Sequence, residues 1–127
     1  MSTTVSKELL EGAVKLHGHL GPFLVLGLRM SLQAESILGE KPEKCELEAI
    51  SSKPFLCAVD GVKTVIGNDI VTVREGNGLS ARFKANGKEV VVRVKKALVE
   101  KYAEGPWEKS EEYAHEVIRT DDERLFE

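Results

Sequence analysis

Two histidines one residue apart carry the most suggestive chemistry in this chain. The stretch His17-Gly18-His19-Leu20-Gly21-Pro22 holds two of the three histidines among 127 residues. Neutral imidazole is the commonest metal ligand. One intervening glycine lets both rings converge on a point, because Gly18 can take backbone angles that a side chain forbids. The pattern reads as half of a metal site, or else as a buried helix-end residue, His17, beside a surface one, His19. A second stretch, Phe55-Leu56-Cys57-Ala58-Val59-Asp60-Gly61, puts a thiol beside the turn that opens a helix, where the dipole favours thiolate. Cys57 is equally readable as a functional thiol and as a packing residue. Cys45 alternates with Leu47 and Ala49 on one strand face and reads as a small core residue.

The elements that must position these groups follow from periodicity. Ser6 suits the N-cap of a helix whose apolar face, Leu9, Leu10, Ala13 and Val14, continues to His17 and turns its ring inward. A buried histidine needs a hydrogen-bond partner or a metal. Pro22 suits the first turn of the next helix, Phe23 to Leu38, which is apolar nearly all round and so belongs at the centre. Gly27 within it marks a close-packing point, and Gly39 ends it. A group bound at His19 would meet the positive end of this helix dipole, which favours an anion.

Cys45 to Ala49 reads as a strand, Pro54 breaks extended chain, and a short helix after Cys57 stops at Gly67-Asn68. A meander follows: Ile70 to Arg74, a turn at Glu75-Gly76-Asn77-Gly78, then two strands joined by Asn86-Gly87, the type I′ hairpin signal. That turn pairs Phe83 with Val90, Ala81 with Val92, Leu79 with Val94 and Lys84 with Glu89. Lys95 to Ala103 is helical, and Gly105-Pro106 breaks it. Trp107, Ala114, Val117 and Ile118 mark a final helix at about 106–120, with His115 on its solvated face. Leu125 and Phe126 sit on an acidic tail, either frayed or packed on a neighbouring subunit.

The expected class is α+β: N-terminal helices on a mixed, mainly antiparallel sheet, with a C-terminal meander and helix. One domain should span 1–127, its core about 6–103. Charged residues make up 31 % and hydrophobic ones 42 % of the chain, an ordinary globular balance. A net charge of −3 supplies no basic field, which argues against nucleic acid. No apolar run reaches the roughly 18 residues of a membrane span, and the first six residues lack a signal pattern. Two cysteines make no disulfide framework. A reduced, cytoplasmic protein is expected. Neither a phosphate-binding glycine loop nor a serine triad can be placed.

The His17-Gly18-His19-Leu20-Gly21-Pro22 corner, then Leu26-Gly27-Leu28-Arg29-Met30, then Cys57-Ala58-Val59-Asp60-Gly61, resembles the FmdE family of formylmethanofuran dehydrogenase subunits, from about Leu9 to Val94. The resemblance implies an α+β domain with a divalent-metal site at His17, His19 and Cys57. Many relatives carry a cysteine at the position of Gly21 and another after that of Gly67, and longer ones append a Cys-rich zinc module. This chain has none of these, so a thiol-rich redox role is not expected.

Three protein ligands leave an open position, as catalytic zinc sites do, for water, a small anion or a second subunit's side chain. Asp60, one helical turn after Cys57, could ligate or hold a histidine N–H. Thiolate with imidazole suits zinc, with nickel, iron or copper as alternatives. Three functions compete. The first is an accessory or regulatory metal-binding domain of a larger oxidoreductase complex; nothing here would hold a molybdopterin or an iron–sulfur cluster. The second is a stand-alone metalloenzyme acting on a small anionic or acyl substrate, with Asp60 or Glu35 as base. The third is a structural homodimer without metal, in which His17 and Cys57 are core residues.

Overall fold

The computed structural model describes residues 5–50, 55–67 and 69–127. Ser6 accepts a hydrogen bond from the Leu9 N–H and caps α1, Lys7–His17. Pro22 occupies the first turn of α2, Pro22–Leu38, where its missing N–H costs nothing. Almost every α2 residue up to Ser31 is buried, as its all-round apolar pattern requires. Strand β1 (Lys44–Ala49) comes next, followed by α3 (Cys57–Ile66), β2 (Val71–Glu75), β3 (Leu79–Ala85) and β4 (Lys88–Arg93). Helix α4 (Lys96–Glu104), a 3-10 turn at Trp107–Lys109, α5 (Ser110–Arg119) and the short α6 (Asp122–Leu125) complete the chain. The Pro54 break and the Asn68 half of the helix stop lie outside the described residues.

The fold is α+β with a mixed four-stranded sheet in the order β2-β1-β3-β4. Asn86 and Gly87 both take positive φ, 48° and 78°, as a type I′ turn demands. The hairpin register follows the expected one: Phe83 opposite Val90, Ala81 opposite Val92, Lys84 opposite Glu89. The Val94 N–H donates to the Leu79 carbonyl at the end of the ladder. The expected meander fails between β2 and β3. There β1 inserts, pairing parallel with β2 and antiparallel with β3. The turn after β2 thus spans a strand rather than closing a hairpin.

One face of the sheet, carrying Cys45, Leu47, Ala49, Leu79, Ala81, Phe83 and Val92, forms the core with α2, α3 and the C-terminal helices. A smaller cluster of Ala13, Leu24 and Leu28 fastens α1 to α2. Two glycines set the α2–α3 crossing. A Cβ on Gly27 would stand 2.2 Å from the Ala58 carbonyl oxygen, and one on Gly61 2.2 Å from that of Leu24. Backbone meets backbone there, and the start of α3 is drawn against the start of α2.

The tail corrects an expectation. Leu125 and Phe126 neither fray nor wait for another subunit; they are buried against their own chain. Phe126 bridges Val94, and the Glu127 N–H donates to the Arg93 carbonyl, so the tail extends the β4 edge. Arg29, fully buried on α2, explains the docking. Its guanidinium donates to the carbonyls of Val117 and Ile118 and pairs with Asp122 at 2.7 Å. Burying that cation is tolerable because the C-terminal segment brings it a carboxylate and two carbonyls.

Candidate metal centre

His17 is the last residue of α1, and Gly18 reverses the chain behind it at φ 93°, a conformation open to glycine. Gly21 is the extended N-cap of α2, and no side chain caps that helix. Between these points His17 and His19 project toward one side, with ring centroids 6.3 Å apart. The α2–α3 crossing supplies the rest, because it sets Cys57 and Asp60, one turn apart on α3, beside the histidine corner. A cavity of about 220 Å³ results, lined by His17, His19, Cys57 and Trp107 over Gly21, Pro22, Phe23 and Leu24.

The His17 Nδ1–H donates to the Asp60 carboxylate at 2.7 Å, in a half-buried setting. The carboxylate selects the tautomer, leaving Nε2 as the lone pair free for other work. Metal-ligating histidines are held in this manner. The His19 ring lies flat on the indole of Trp107, centroids 4.2 Å apart and planes 14° from parallel.

The structure brings the three expected ligands to one cavity, with Asp60 behind His17 rather than in front of it. Among the described residues, however, no three His, Cys, Asp or Glu side chains stand close enough to hold an ion as they are. The ring spacing gives part of the reason. Two imidazoles on a tetrahedral zinc place their centroids about 5 Å apart, and these stand at 6.3 Å. The donor set fits zinc in kind, and its two rings stand about 1 Å wider apart than one ion would hold them.

The other candidates fall away from the site. Cys45 is buried opposite Phe83, and burial, helped by the Glu46 charge, pushes its thiol up to about 12. His115 is exposed on α5. Glu35 lies far down α2 from Pro22, about 20 Å along the axis, too distant to serve as a base here. A wider hollow of about 500 Å³ at the Asn86-Gly87 turn is a solvated surface lined by Lys44, Lys84, Lys88, Glu43 and Glu89. It gathers neither histidine nor cysteine.

A family model described as "FmdE, Molybdenum formylmethanofuran dehydrogenase operon" matches residues 16–127. The chain belongs to that family. No curated protein matches it. The FmdE match begins at the histidine corner and runs through the tail, farther than the Val94 limit expected from sequence. The matched stretch takes in Arg29 and its buried partners, which lie 88 to 93 residues downstream.

Trp107 is the site residue that sequence reasoning missed. Read as the start of an amphipathic helix, it is instead the wall of the cavity. Its placement directly after the Gly105-Pro106 break was the available signal.

Proposed function

We propose that this FmdE-family chain is a divalent-metal-binding domain with an accessory or regulatory role beside a formylmethanofuran dehydrogenase-type oxidoreductase. His17 Nε2, His19 and the Cys57 sulfur are the ligands, and zinc is the first choice over nickel or iron. The Asp60–His17 hydrogen bond carries this reading. A carboxylate that fixes Nδ1–H and frees Nε2 toward a cavity shared with a second histidine and a thiol is the support a metal ligand needs.

When bound, zinc would supply a Lewis-acidic position open to a small ligand. The chain's own residues shape what enters. Pro22, Phe23, Leu24 and Trp107 make most of the wall apolar, and the volume of about 220 Å³ admits only a small molecule, the equivalent of about seven waters. The uncapped first turn of α2 favours a negatively charged group among small ligands. Asp60 is engaged with His17, and Glu35 is remote, so among the described residues no carboxylate lining the cavity is placed as a general base. That weighs for a binding module over a stand-alone hydrolytic enzyme. Metal analysis of protein purified without a histidine tag tests the reading. About one equivalent of zinc, lost in H17A and C57A, supports it; under half an equivalent, unaffected by either change, overturns it in favour of a structural role.

A further inference from the structure

Trp107 is the chain's only tryptophan, and it is 73 % exposed. So little burial gives the indole small hydrophobic reason to stay where it is. Its aromatic partner among the described residues is His19, against which one full face is pressed. Gly21 leaves the His19 ring its room: a Cβ there would stand 3.0 Å from the ring's Cε1. The imidazole thus rests on an indole, in space that only a glycine at position 21 leaves open. The Trp107–Lys109 turn that carries the indole follows the Gly105-Pro106 break and is only three residues long.

We infer that Trp107 is a positioning residue for the metal centre, its stack parking the His19 ring wide of the ligating position. This rests on the metal reading above. With ring centroids at 6.3 Å and His17 held by Asp60, closing the rings on one ion takes about 1 Å of movement by His19, against its stack on the indole. The stack therefore competes with ligation. The lost contact is returned when the ion leaves, so Trp107 weakens binding and reports it.

The test is zinc titration of the full chain, with affinities from a competing chelator and tryptophan fluorescence recorded together. Zinc is itself spectroscopically silent, so a fluorescence change reports the indole's surroundings. In the wild type, emission should change in step with zinc occupancy. W107A should bind zinc more tightly by about twofold or more, up to the roughly tenfold that a whole aromatic stack is worth. W107F, which keeps a ring over His19, should return toward the wild-type affinity. A merely structural tryptophan would lower the melting temperature of W107A without tightening zinc. Zinc binding with unchanged emission, or equal or weaker binding in W107A, overturns the inference and leaves the metal reading standing. A wild type that takes up no zinc overturns both.

Discussion

Arg29 on α2 and Asp122 in the tail form an ion pair at 2.7 Å, with side chains 0 % and 6 % exposed. The same guanidinium caps α5 through the carbonyls of Val117 and Ile118. One residue thus closes the helix, the tail and the core together. R29M should lose about 3–5 kcal/mol of stability, because it removes a buried cation from partners arranged around it. In thermal unfolding this is a fall of about 10 °C or more. A loss below about 1 kcal/mol would show that the pair contributes little.

The glycine crossing gives a paired prediction. G27A drives a methyl toward the Ala58 carbonyl, 2.2 Å from the ideal Cβ position, and neither backbone can step aside alone. A loss of about 1–3 kcal/mol or more is expected, together with weaker zinc binding, since Cys57 and Asp60 ride on the displaced helix. Gly12, mid-helix in α1 with nothing within 4 Å, is the control. G12A should gain about 0.5–1 kcal/mol. Equal effects from the two changes in urea unfolding would refute the crossing.

The two thiols should separate by reactivity. Cys45, 1 % exposed, has its thiol pushed up from 9.0 to about 12 by burial. It should resist an aromatic disulfide reagent at pH 8 in the native state, whereas Cys57 at the cavity should react. Zinc should protect Cys57. Two fast-reacting thiols in folded protein would contradict this arrangement.

Alkaline pH should destabilise the fold. Cys45 holds its proton to about 12, against 9.0 in its ordinary state. Burial and the hydrogen bond to Glu116 raise the Tyr102 hydroxyl in the same direction. Above pH 9 the unfolded chain sheds protons that the folded chain keeps. The stabilisation is therefore complete below that point and drains away as pH rises toward 12. Each group costs up to about 1.4 kcal/mol per pH unit above its ordinary value, 9.0 for Cys45 and 10.0 for Tyr102. Urea midpoints between pH 8 and 10.5 should fall, less steeply in C45A; a flat profile would oppose this.

What the sequence disclosed tracks how local each interaction is. The β3–β4 register was legible because Asn86-Gly87 dictates a turn, and the turn dictates every pair. Gly27 was legible as a packing point, but its counterpart Gly61 was not, since nothing local links them. Inserting β1 beside β2 needs a parallel pairing across α3, which no turn signal announces. Leu125 and Phe126 looked unanchored because their anchor is a buried arginine 93 residues before Asp122. At the site, Asp60 one turn after Cys57 could be read as ligand or as histidine partner, and it is the partner of His17. The Trp107 stack could not, because it joins two loops from opposite ends of the chain.

The metal assignment itself is tested most directly by the zinc K-edge X-ray absorption fine structure of the zinc-loaded chain. The expected first shell has two imidazole nitrogens at about 2.0 Å and one sulfur at about 2.3 Å, the sulfur disappearing in C57A. A shell of nitrogen and oxygen alone in the wild type, or sulfur that persists in C57A, would contradict a centre made by His17, His19 and Cys57.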